Sequence, residues 1–153
     1  MKLIAEYIWL GGNDVLRSKS RTIDSEYTHE QLFKNNLLGQ LLDPEKYQEW
    51  TYDGSSTGQA TGNDSEVVLR PVSVFMDPFK KAPNVLVLCD TYRPNGEPLN
   101  NNHRKKALEL FNKNKDSQPW FGIEQEFYIM KNSSETPSHI SLLPLGTNDN
   151  LET

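Results

Sequence analysis

NVLVLCDTY, residues 84 to 92, is the most apolar strand-like run of the chain. Valine and leucine follow one another almost without interruption, and Pro94-Asn95-Gly96 closes the run with a turn signal. Its position decides the fold class. The segments before it read as strands, and the segment after it reads as a helix.

Upstream, LIAEYIWL (3–10) has the β-branched and aromatic content of a strand, and Gly11-Gly12-Asn13-Asp14 is a strong turn signal. VLRSKSRTI (15–23) alternates apolar or small residues with polar ones, which predicts the returning strand of a hairpin. Residues 24–48 are polar with scattered leucines, and LFKNNLLGQLL within them fits either a short helix or a loop. EWTYD (49–53) reads as another strand that enters the loop GSSTGQATGND (54–64). EVVLRPVSVFMDPF (66–79) is a strand with Pro71 at an edge or bend.

Downstream, HRKKALELFNKN (103–114) places Ala107, Leu108 and Phe111 on one side of a helix, with Asn101 or Asn102 as N-cap. WFGIEQEFYIM (120–130) predicts a last strand, and residues 131–153 show no sustained period. There is no internal repeat. Several strands before one helix indicate a small β-rich α+β domain over 1–92, with 93–130 opening something new and 131–153 standing apart.

Composition narrows the function classes. The chain has 153 residues, 35% hydrophobic and 24% charged, which suits a globular chain with a modest core. The net charge is -5 and the 16 Lys and Arg are scattered, so the basic stripe of a nucleic-acid binder is missing. Cys89 is the only cysteine, which points to a reducing compartment. The N-terminal run MKLIAEYIWLGGND contains Glu6 and no small-residue cleavage site, and no apolar run reaches membrane-spanning length. A soluble cytoplasmic protein with no membrane partner is expected. Asn132-Ser133-Ser134 matches a glycosylation sequon and is read as chance.

Two stretches carry chemistry. On a strand over 120–130, residues two apart share a face, so Glu124 and Glu126 stand side by side, about 6.5–7 Å apart at Cα. Two hard oxygen donors at that spacing suit Mg²⁺ or Mn²⁺ beside phosphate. The plainer reading is the solvated outer face of an amphipathic strand. The other stretch, TYDGSSTGQATGND (51–64), is dense in Gly, Ser and Thr, but no Lys follows its second Gly, so it is not a P-loop. Asp53 could serve as a general base or cation-binding carboxylate, with Ser55 and Ser56 as donors. Its plainer reading is a turn cap.

Taken in order, IAEYIWLGG, LRSKSRT, YDGSSTGQA, DSEVVLRP, VFMDPF, LVLCDTY and WFGIEQEF closely resemble the glutamine synthetases of eukaryotic type, over about residues 3–130. The resemblance implies a β-grasp-like N-terminal domain followed by the first helix and strand of a catalytic domain. It also implies ATP-dependent joining of ammonia to glutamate through γ-glutamyl phosphate. Glu124 and Glu126 become ligands of Mg²⁺ or Mn²⁺, with Glu124 also beside the nucleotide, and Trp120 lies near the adenine of ATP. Asp53 binds ammonium and takes its proton, with Ser55 and Ser56 lining the same loop. Stacked homo-oligomeric rings, with active sites shared between subunits, are implied as well.

Two departures qualify the resemblance. Nothing after Met130 matches the family, so His139 is assigned no ligand role and the 153 residues alone are expected to be inactive. The connection over 27–48 is also longer than the family's. An alternative is a non-catalytic protein that keeps the N-terminal domain and docks onto full-length subunits. A stand-alone metal-binding module is a weaker third.

Overall fold

In the computed structural model, residues 1–124 and residue 126 are described. The chain divides into two units, Met1–Lys115 and Asp116–Thr153, and the sheet belongs entirely to the first. Among the described residues five strands, β1 (Lys2–Leu10), β2 (Leu16–Asp24), β3 (Trp50–Asp53), β4 (Glu66–Met76) and β5 (Val85–Tyr92), lie in the order β2-β1-β5-β4-β3. β1 and β5 run parallel at the centre, and every other pairing is antiparallel. Helices α1 (His29–Phe33) and α2 (His103–Lys113) complete the α+β class that the sequence predicts.

Alternation along the strands defines the core. Leu3, Ala5, Tyr7 and Trp9 of β1 are buried, as are Val85, Val87 and Cys89 of β5, because residues two apart face the same side. β4 shows the same rule being broken and repaired. Val67 and Leu69 point inward, then the register with β5 shifts between Pro71 and Ser73, and Val74 becomes the buried residue. One extra residue in a bulge reverses which parity faces the core. Pro71 therefore sits at a bend, and it lies just past Leu69, the last β4 residue paired with β3.

The 25-residue stretch between β2 and β3 (residues 25–49) solves a topological problem. These strands form opposite edges of the sheet, so the chain must cross a face to connect them. It does so with α1 and two 3₁₀ turns, Leu38–Leu42 and Pro44–Lys46, whose Leu32, Leu41 and Tyr47 join the core cluster. α1 begins in a reciprocal cap: the Gln31 N–H donates to Thr28 Oγ1 at 3.2 Å, and the Thr28 N–H donates to Gln31 Oε1 at 2.8 Å. Full burial of Leu32 contributes roughly 1.5–3 kcal/mol. The leucines that look scattered in sequence are thus the cover of the core.

α2 is capped by Asn102, whose Oδ1 accepts from the Lys105 N–H at 3.1 Å, as one of the two expected caps. None of its residues is buried, so the side bearing Ala107, Leu108 and Phe111 is no core stripe in the described residues. Of the strand expected over 120–130, the part over 120–124 does not form. Residues 120–124 have no regular structure, and Trp120, Phe121 and Ile123 are 98%, 70% and 92% exposed. Alternation makes a segment able to join a sheet, but a strand exists only where a neighbour supplies its ladder bonds. Gln125 and residues 127–130 lie outside the described residues.

Candidate functional site

β3 delivers Asp53 to the start of a loop. It pairs with β4 from Trp50 opposite Leu69 to Asp53 opposite Glu66, and there the pairing ends. A 3₁₀ turn, Gly54–Thr57, follows and closes on Gly58, which adopts a left-handed conformation at φ 68°. Gly54 is buried because the loop folds tightly against β4. A Cβ on it would lie 2.6 Å from Val67 Cγ2, and its N–H donates to the Ser65 carbonyl at 2.6 Å.

Both polar groups of Ser55 converge on one carboxylate oxygen. Asp53 Oδ1 accepts from the Ser55 N–H at 2.9 Å and from Ser55 Oγ at 2.6 Å. These two bonds, the hydroxyl first, hold the Asp53 carboxyl below the ordinary aspartate range, so it is ionised at neutral pH. Ser56 Oγ turns away from the carboxylate and donates to the Asp53 backbone carbonyl at 3.3 Å. Asp53, Ser55 and Ser56 are all exposed. The turn-capping reading of Asp53 is therefore realised, and the cap leaves an anionic group at the surface of a hydrogen-bonded loop.

The loop brings together Asp53, Ser55 and Ser56, but Trp120, Glu124 and Glu126 belong to the other unit, where all three are exposed. Among the described residues no group of three or more His, Cys, Asp or Glu side chains is placed to hold a metal ion. Two carboxylates match the oxygen preference of Mg²⁺ or Mn²⁺, yet they leave most of an octahedral shell to be filled.

Sequence reading assigned no role to Gln59, which lies half-buried in the same loop and makes four side-chain hydrogen bonds. Its place in a glycine-flanked polar loop was the only visible signal, since its partners are distant in the chain. Lys19 was missed for the same reason. Its ammonium lies 3.5 Å from the centre of the Trp50 ring and donates to the Thr51 carbonyl, bracing the strand that leads to Asp53.

Residues 4–94 match the family model described as "Glutamine synthetase, beta-Grasp domain". The chain belongs to the glutamine synthetase family. It is 47% identical over 139 residues to glutamine synthetase cytosolic isozyme 1-5 of Arabidopsis thaliana, covering 89% of this chain and 35% of that protein. It is 48% identical over 139 residues to the chloroplastic/mitochondrial glutamine synthetase of the same plant, covering 89% of this chain and 29% of that protein. Against the nodule isozyme of Lupinus angustifolius the identity is 46% over 144 residues, 92% of this chain and 41% of that protein.

The chain thus spans about a third of the length of the glutamine synthetases it matches. The β-grasp assignment agrees with the mixed sheet and with the fold class predicted from sequence. Relatives named cytosolic and chloroplastic both occur, and no described helix is long and apolar enough to cross a membrane.

Proposed function

We propose that this chain supplies the ammonium-handling loop of a glutamine synthetase, which forms glutamine from glutamate and ammonia at the expense of ATP. The observation that carries the reading is the Asp53 carboxylate, exposed, ionised and fixed by Ser55 within a family-matched domain. Ammonium has no lone pair until it loses a proton. A fixed carboxylate first attracts the cation, then accepts that proton, and the freed ammonia attacks the γ-carbonyl of γ-glutamyl phosphate. The new C–N bond replaces the C–O bond to phosphate, which leaves with its electron pair and takes the second proton that the nitrogen sheds to become the amide. Ser55 keeps the carboxylate aimed and ionised, and Ser56 stiffens the backbone beneath it.

Glu124 and Glu126 would hold Mg²⁺ or Mn²⁺ together with further ligands, and Trp120 would lie against the adenine of ATP with Glu124 near the nucleotide. The metal, when bound, neutralises phosphate charge during transfer. The reading also takes the working form to be a homo-oligomer of stacked rings, in which the Asp53 loop of one subunit serves its neighbour. A cytoplasmic location is supported by the cytosolic isozymes among the relatives. The 153 residues alone are proposed to be inactive, on the ground that they span only about a third of a relative named glutamine synthetase.

The test uses glutamine synthetase subunits that contain this sequence. Asp53→Asn keeps the size of the side chain and removes the charge and the base. It should spare ATP-dependent phosphorylation of glutamate and slow the ammonia step by roughly 10²-fold or more. Mixed rings of Asp53→Asn and Glu126→Gln subunits should regain activity that neither mutant ring has alone. Mixed rings as inactive as the separate mutants would refute the shared site. Full activity of Asp53→Asn would refute the ammonium-handling role of Asp53.

A further inference from the structure

We infer that Gln59 is a positioning residue for Asp53, a clasp that ties the Asp53 loop to the β1–β2 turn and to Asn101. The inference rests on the ammonium-binding reading of Asp53 for its functional meaning, while the clasp itself is structural. Gln59 Oε1 accepts from Tyr52 Oη at 2.6 Å and from Thr57 Oγ1 at 2.8 Å. Gln59 Nε2 donates to the Leu10 carbonyl at 3.0 Å and to Asn101 Oδ1 at 3.4 Å. Because the Leu10 carbonyl can only accept, the amide has one workable orientation.

Tyr52 precedes Asp53 and Thr57 closes the turn that Asp53 caps, so the two donors to Gln59 bracket the carboxylate in sequence. Each is anchored elsewhere. The Tyr52 ring packs on Trp9 with centroids 4.7 Å apart, and Thr57 Oγ1 lies 3.0 Å from the Gly54 carbonyl, which competes for its single proton. On the far side, Asn101 Nδ2 donates to the Gly11 carbonyl at 2.8 Å, which closes the ring of contacts through the turn.

The glycines of that turn show how closely the pieces fit. A Cβ on Gly12 would lie 1.8 Å from the Thr57 carbonyl oxygen, so loop and turn meet backbone to backbone. Gln59 spans this contact. Removing its amide would leave the Leu10 carbonyl and the Tyr52 hydroxyl without these partners and free both flanks of Asp53. The four hydrogen bonds of Gln59 go to Tyr52, Thr57, Leu10 and Asn101 rather than to the Asp53 carboxylate, so its action runs through the loop backbone.

The experiment compares the 153-residue chain with its Gln59→Leu and Tyr52→Phe variants by NMR. In Gln59→Leu, the amides of residues 59 and 60, which donate to the Gly54 carbonyl, should exchange roughly tenfold faster while the Val87 amide is unchanged. The Asp53 carboxyl should titrate closer to the ordinary aspartate value. Tyr52→Phe removes one donor and should shift both readouts the same way by less, which covers the case of a Gln59→Leu chain that fails to fold. In complete subunits, Gln59→Leu should raise the KM for ammonium roughly ten- to a hundredfold with the KM for ATP unchanged. Wild-type loop exchange and wild-type Asp53 titration in the folded variants would overturn the clasp, and so would equal changes in the two KM values. A failed ammonium reading shows instead as full activity of Asp53→Asn, so the two failures are distinguishable.

Discussion

The phenol of Tyr7 donates to the backbone carbonyl of Gln48 at 2.8 Å, across 41 residues of sequence. Tyr7 belongs to the interior strand β1, and Gln48 lies near the end of the long connection that crosses the sheet face. A buried hydroxyl needs a partner, and here the partner is the connection itself. The long connection is therefore bound into the core by side chain and backbone alike.

Leu32 is the deepest anchor of that connection, and Leu32→Ala should destabilise the domain by about 2–5 kcal/mol through lost burial and a residual cavity. Urea unfolding with an unchanged slope and a lowered midpoint is the expected signature. A loss below about 0.5 kcal/mol, the size of an ordinary surface change, would mean that α1 does not pack on the sheet.

Cys89 is buried in β5, and its desolvation, with a smaller push from Asp90, raises its thiol to about 12. At pH 8 the native protein should react with a disulfide reagent at least a hundredfold more slowly than the urea-unfolded chain, since the thiolate is the nucleophile. Rapid native labelling would contradict its burial.

Asp77 is buried at the turn from β4 to β5, where its Oδ1 accepts from the N–H groups of Phe79 at 2.8 Å and Lys80 at 2.9 Å. The Lys80 N–H is the largest cause of its lowered pKa, and the Lys80 ammonium adds to it at 3.2 Å. A folded value below the unfolded one, about 3.9, gives stability that is present above that pH and is lost as the pH falls through the folded value. Glu6, lowered chiefly by its bond to the same Lys80, acts in the same direction. Asp77→Asn should therefore flatten the acid limb of a urea-midpoint profile between pH 5 and 2 relative to wild type. An equally steep limb would assign the acid sensitivity elsewhere.

Divalent binding by the 153 residues should be weak, since Glu124 and Glu126 supply two carboxylates to a cation that requires about six ligands. Calorimetric titration with Mn²⁺ should show no submicromolar event. Tight binding that Glu124→Gln abolishes would support the stand-alone metal module instead.

Local chemistry alone determined much of this protein. The β-branched and aromatic content of LIAEYIWL, the alternation in VLRSKSRTI, the turn at Gly11–Asp14 and the apolar run at NVLVLCDTY are short-range signals, and each became the expected strand or turn. Asp53 was legible too, because an aspartate before Gly-Ser-Ser both caps a turn and presents a charge. The order of the strands needed the tertiary structure. The parallel pairing of β1 with β5 joins segments some eighty residues apart, and no local period encodes that choice. The inward turn of Leu32 and Leu41 depends on where the connection crosses the sheet, which is set by β2 and β3 lying at opposite edges. The change of parity in β4 waits on the bulge after Pro71. Gln59 is the clearest case, since an amide becomes a clasp only when folding brings Leu10, Tyr52 and Asn101 within reach of its two ends. Glu124 shows the converse: its alternating pattern was plain in sequence, but a strand is a property of paired chains, and among residues 120–124 no pairing forms.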